Sequence, residues 1–259
     1  MSFTKFMAFL EKRALYFARA DKLADEDPYE GHLTHVNARV LSWYMASPEF
    51  WATLGFNSRE QFEGFLRARS FHRRALQEMR QLHFINCWHL GDDESDAMWK
   101  LYCGVHEGVC IQSTFGSLVE SLKNIEEPVY IGKVRYIDYR REVINEGDGF
   151  APYIHKRRAF QHENELRAML WRFNETDYGY FHADGSKATK ENYTYSQILN
   201  KFPQRMGIDV PLDIPALVKA VYVSPTSPAW FNELVASAIE RYGFRLKLEQ
   251  SALSELPPE

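Results

Sequence analysis

The sequence predicts an α+β fold: a mixed β-sheet with flanking helices and a C-terminal strand-helix-strand unit. Three observations predict it. Aromatic residues make up 15% of the chain, which favours β structure and aromatic-lined pockets. Within Tyr153–Phe173, helical spacing (Lys156, Phe160, Glu163) passes into strand alternation. Near the C-terminus, Ala220–Val223 reads as a strand, Ser224-Pro-Thr-Ser-Pro as a turn, Pro228 to Tyr242 as a helix and Phe244–Leu248 as a closing strand.

The 259 residues and 45% apolar content suffice for one large core. Neither a low-complexity linker nor a repeat divides the chain. One domain is expected over 1–259, helix-rich over 1–80 and sheet-containing over 81–259. The formal net charge of -4 argues against holding duplex nucleic acid by bulk charge. Cys87, Cys103 and Cys110 lack disulfide-framework spacing and read as reduced thiols, so a cytoplasmic protein is expected. No apolar run approaches a membrane span. The start, Met-Ser-Phe-Thr-Lys-Phe-Met, is amphipathic and unlike a signal peptide.

In chain order, Ser2–Lys12 predicts a helix with Phe6, Phe9 and Leu10 on one face. Ala14–Ala18 predicts a strand, and Ala24–Gly31 an acidic turn region. Val36–Ser47 and Pro48–Leu54 read as helices. Ser58 and Gln61 form a capping box opening a helix to about Arg80. Its far end is basic (Arg67, Arg69, His72, Arg73, Arg74, Arg80), as a solvated face or a phosphate contact requires. Leu82–Leu90 predicts a central strand, and Asp93–Cys103 a helix carrying Met98, Trp99 and Tyr102. Gly108–Gln112 predicts a strand, Phe115 to Lys123 a helix, and Val129–Tyr136 another strand. Phe173–Glu191 reads as a polar excursion, and Tyr193–Phe202 as a short helix.

The chemistry concentrates at 153–173. Strand parity puts Glu163, Glu165 and Arg167 on one face with Met169, Trp171 and Phe173. Carboxylates and a guanidinium beside an aromatic surface are desolvated, and desolvation shifts pKa values. The plain alternative is an Arg167–Glu salt bridge at a sheet rim.

Four motifs in order carry a resemblance over nearly the whole chain. They are Leu15-Tyr16-Phe17 leading to Asp27-Pro28-Tyr29-Glu30-Gly31; Cys87-Trp88 with Met98-Trp99 and Tyr102 running into Gly108-Val109-Cys110-Ile111; Lys156, Phe160, Glu163, Glu165 and Arg167; and the closing Val221–Ser251 unit. In these the chain resembles a widespread bacterial family of unknown function. That resemblance implies a bacterial protein but no activity. A role in conflict or defence is expected only by association with other small enzymes.

A second likeness is to Arg-Ser-Glu ADP-ribosyltransferases. Arg19 ends a first strand, Ser113-Thr114 follows a middle strand, and Glu163-Asn-Glu165 opens a later one. This likeness implies NAD as cofactor, with a protein or nucleic-acid acceptor. Arg19 would hold the diphosphate. Ser113 would brace the nicotinamide ribose. Glu165 would stabilise an oxocarbenium-like centre, and Glu163 would orient or deprotonate the acceptor. Trp99 or Tyr102 would stack on nicotinamide. Arg167 and Lys156 would line the cofactor site and keep Glu165 ionised.

Other readings stay open. His83, Cys87 and His89 share a strand face, with Cys103, His106 and Cys110 as further donors, but without zinc-site spacing. Asp27, Glu30, Glu163, Glu165 and Lys156 are the residue types of a Mg²⁺-dependent nuclease. A non-enzymatic module binding a nucleotide or peptide would use the same aromatic and charged face.

Overall fold

The structure, a computed structural model, describes residues 1–38, 58, 60–65, 79–103, 107–172 and 206–255. It is α+β, with mixed sheets and flanking helices. Most of the helices expected over 36–54 and 58–80 lie outside the described residues, as do Arg67, Arg69, His72, Arg73, Arg74 and His106. So do the expected excursion at 173–191 and the expected helix at 193–202. Residues 35–38 and 60–65 are helical. Ser58 Oγ accepts from Gln61 N at 3.2 Å, as the capping box requires. Met79–Leu82, where that helix was expected to finish, is a 3₁₀ turn. Among the described residues no helix is long and apolar enough to cross a membrane. The chain divides into two compact units.

The first unit comprises 1–17, 89–129 and 209–259. Its helix Phe3–Lys12 starts at Ser2, whose hydroxyl accepts from Lys5 N, and buries Phe6, Phe9 and Leu10. It stops at Arg13, which is left-handed at φ 49. Strand β9 (Ala220–Val223) lies between β3 (Val109–Gln112), antiparallel, and β10 (Leu248–Gln250), parallel. Helix Ala229–Arg241 makes the parallel crossover. Its buried Phe231, Val235, Ala238 and Ile239 follow helical period. Two expectations are corrected here. Pro228 itself, extended at ψ 157, occupies the N-cap expected for Ser227. The closing strand forms at 248–250 because Phe244 N still bonds Ile239 O in terminating the helix past Gly243 (φ 79).

The second unit comprises 18–88 and 130–208. The five-stranded sheet runs β4 (Val129–Lys133), β7 (Glu165–Trp171), β2 (His83–His89), β1 (Ala14–Arg19), β8 (Gly207–Pro211). Six consecutive residues of β7, Glu165 to Leu170, are buried, so both of its faces are covered. A parallel pair, β5 (Arg135–Ile137) and β6 (His155–Arg157), lies beyond. The single strand expected over Val129–Tyr136 is broken at Val134. Val134 N still donates to Glu165 O, but Arg135 N donates to Ile154 O. The chain changes partner there, from β7 to β6.

The faces of the sheet are fixed by its register. Ala18 stands opposite Ile85 and Arg19 opposite Phe84. Ile85 packs with Met169, Ala20 and Tyr153. Alternation then puts Cys87, Glu165, Arg167 and Met169 on Ile85's side and Arg19 on the other.

Candidate functional site

A buried charge cluster occupies the Ile85 face of the second unit. Arg167 is 1% exposed. Its Nε donates to Glu165 Oε2 at 2.6 Å, and its Nη1 to Glu30 Oε1 at 2.5 Å and the Tyr153 carbonyl at 2.7 Å. Its Nη2 donates to Glu30 Oε2 at 3.2 Å. Such a fork is what guanidinium geometry suits. Lys156 Nζ donates to Glu163 Oε2 and, at 2.7 Å, to Glu165 Oε1; Glu30 Oε2 lies 3.7 Å away. All five side chains are buried.

Local structure delivers each one. Tyr29 N donates to Asp27 Oδ1, and Glu30 N to the Asp27 carbonyl, which folds the Asp-Pro turn. Gly31 follows at φ 68. A Cβ there would lie 2.9 Å from both Arg80 Cδ and Tyr153 Cε1, so glycine is required twice over. Arg157 anchors the same turn through Asp27 at 2.6 Å and stacks over the Tyr29 and Phe160 rings. Lys156 comes from β6 and lies 4.8 Å above the Phe160 ring. The helix expected to align Lys156, Phe160 and Glu163 is absent. Lys156 is on a strand, and Arg158–Glu163 is a 3₁₀ turn closed by left-handed Asn164 (φ 38). That reversal brings Glu163 back to Lys156.

Three carboxylates face two cations here. Full ionisation would bury a net negative charge, which is costly. The cluster answers this by shifting its carboxyls unequally. Burial, then the hydrogen bond to Glu165, raises the Glu163 pKa, against the pull of Lys156. Burial opposes ionisation of Glu165 too, but Arg167, the Glu163 hydrogen bond and Lys156 outweigh it and hold its pKa well below the usual range. The two neighbouring carboxyls are thus shifted in opposite directions, Glu163 upward and Glu165 downward. Lys156 and Arg167 stay cationic: burial opposes this and the carboxylates override it.

Two further groups border the pair. Glu165 N donates to the Tyr136 hydroxyl at 2.9 Å. The Cys87 thiol hydrogen-bonds to Glu165; burial, and then Glu165 and Glu30, push its pKa up against the opposing charge of Arg167. Cys87 is nonetheless exposed.

The other expected site residues are placed as follows. Arg19 faces the opposite side of the sheet from Glu165 and pairs with Asp21 at 2.6 and 2.9 Å. Ser113, Trp99 and Tyr102 belong to the first unit. Ser113 Oγ donates to the Leu217 carbonyl at 2.7 Å. Trp99 is buried and its Nε1 donates to Glu94 at 2.9 Å, as a core residue does; Tyr102 is exposed. Arg167 and Lys156, expected to meet a cofactor, spend their donors on carboxylates. Glu30, Glu163, Glu165 and Lys156 do come together, while Asp27 pairs with Arg157. Yet among the described residues no group of three or more His, Cys, Asp or Glu is placed to hold a metal ion. Sequence reasoning took Cys87 only as a metal donor or reduced thiol, and it gave Tyr136 no role. Parity alone could have paired Cys87 with the β7 carboxylates, given the strand order.

Comparison with family profiles, with curated proteins and with solved structures gives no match.

Proposed function

We propose that the second unit carries an acid–base site acting on a nucleotide, an NAD-using transferase-like reaction with Glu165 as the charged carboxylate. The observation that carries this reading is the Glu163–Glu165 pair, both held by Lys156, with one carboxyl pKa raised and its neighbour's lowered, beside the exposed Cys87. Two carboxyls driven apart in pKa are the usual mark of divided acid and base roles. In the reaction the C1′–N bond of the nicotinamide ribose breaks and its electron pair leaves with nicotinamide. Glu165 stabilises the positive charge growing on the ribose. The thiol of Cys87 is a weak donor, so a ligand hydroxyl replaces it at Glu165. The acceptor's lone pair forms the new bond to C1′, and Glu163, acting ionised, takes the acceptor's proton. Arg167 and Lys156 orient Glu165. Arg19, Ser113, Trp99 and Tyr102 receive no role here.

The test is incubation with NAD, reading nicotinamide release and ligand-induced thermal shift. Turnover should rise with pH through a value above the ordinary carboxylate range, since Glu163 acts ionised. Glu165→Gln should abolish turnover. Neither turnover nor thermal shift with NAD in the wild-type protein would sink the reading.

A second reading rests on burial: Glu30 and Arg167 are 2% and 1% exposed. A charge clamp of this kind also serves a non-enzymatic nucleotide- or peptide-binding module. Binding that survives Glu165→Gln without turnover in either protein favours that module. The Mg²⁺ nuclease is less well supported, because Lys156, Arg157 and Arg167 already neutralise its carboxylates.

A further inference from the structure

Tyr136 stands directly opposite Lys156 across the parallel β5–β6 pair. Its hydroxyl oxygen accepts the Glu165 N–H, which fixes where the phenol sits. Its own proton meets no acceptor among the described residues, and the side chain is only half-buried. So the rim of an otherwise saturated cluster holds one oriented donor with nothing to donate to. Arg167 and Lys156 are engaged with the carboxylates.

We propose that Tyr136 is a substrate-contacting residue that donates its hydroxyl proton to a ribose oxygen of a bound nucleotide. This rests on the nucleotide reading of the same site. The chemistry that selects a ribose is complementarity to a vicinal diol. One hydroxyl donates to the Glu165 carboxylate, and the neighbouring oxygen accepts from Tyr136. A carboxylate alone cannot tell a diol from a single hydroxyl; a carboxylate with a phenol donor beside it can. Burial, reinforced by the charges of Glu165 and Glu163 and opposed by the Glu165 N–H and Lys156, raises the phenol's pKa, so it stays a donor into the alkaline range.

The test compares NAD with 2′-deoxy-NAD, by calorimetry, on the wild-type protein and on Tyr136→Phe. The wild type should prefer NAD, and Tyr136→Phe should bind NAD roughly tenfold more weakly and lose most of that preference. Because Tyr136→Phe also removes the acceptor of a backbone N–H, 3-fluorotyrosine at position 136 gives a second readout that keeps this bond. Its ¹⁹F resonance should shift when NAD is added. If the wild type binds NAD while the ¹⁹F signal stays still, or Tyr136→Phe binds NAD as tightly, the role of Tyr136 is overturned and the nucleotide reading stands. If the wild type binds neither ligand, both fall. Should Tyr136→Phe fail to fold, the fluorinated protein decides alone.

Discussion

Glu30 and Arg167 are joined at two points although 137 residues separate them in the chain. The bond ties the Asp-Pro turn to the centre of β7. Removing one partner leaves the other charge buried without compensation, which costs roughly 3–5 kcal/mol. Arg167→Met is therefore expected to destabilise by about that much in urea unfolding. A loss under about 1 kcal/mol would show that the pair is not formed in solution.

The two carboxyls of the pair should respond differently to amidation. Gln at 163 can still donate to Glu165 and accept from Lys156, and burial already disfavours the charged form of Glu163. Glu163→Gln should change stability at neutral pH by no more than about 1 kcal/mol. Glu165→Gln removes the charge that faces Lys156 and Arg167, and should cost about 1–3 kcal/mol. Equal costs would refute the opposite shifts of the two carboxyls.

The same shifts set a pH dependence. Glu163's folded pKa is raised, so its contribution is complete below the ordinary value of 4.5 and is lost as pH rises through the folded value. Glu165's folded pKa is lowered, so its contribution is present above 4.5 and is lost only as pH falls toward that depressed value. Urea midpoints taken as pH rises from 4.5 should therefore decline less steeply for Glu163→Gln than for the wild type. Parallel curves would count against a raised Glu163.

His83 governs the acid side. It is 3% exposed, stacked on Tyr153 at 4.3 Å, and its Nδ1–H donates to the Met79 carbonyl. Burial lowers its pKa to about 4 from 6.5, against the Met79 bond. A depressed histidine contributes stability above 6.5 that is lost as pH falls toward about 4, on the order of 3 kcal/mol in all. His83→Phe should flatten the stability profile across that window. An unchanged slope would place the acid sensitivity elsewhere.

The exposed Cys87 thiol should react slowly for its exposure. With Cys103→Ser and Cys110→Ser removing the other thiols, iodoacetamide should label Cys87 at least tenfold more slowly at neutral pH than a free cysteine, since only the thiolate attacks. Labelling at the ordinary rate would mean that the thiol is not held against Glu165.

Much of the fold was legible because its signals are local. Ser2, Ser58 and Thr114 cap their helices as the sequence suggests, and the strands form where apolar residues alternate. The break at Val134 was not, because it depends on which strand lies next to Arg135. The site divides in the same way. Strand parity put Glu165 and Arg167 on one face. It could not place Glu30, whose partner is remote, or show that Arg19 faces away. That last result turns on a register in which Arg19 meets Phe84 rather than Ile85.

The long span closed by Glu30 and Arg167 also constrains when the cluster can form. Contacts so distant in sequence carry a large loop-closure cost and belong late in folding. Interactions absent from the transition state change the unfolding rate and leave the folding rate nearly untouched. The charge cluster thus acts as a latch, governing how long the native state persists rather than how quickly it is reached.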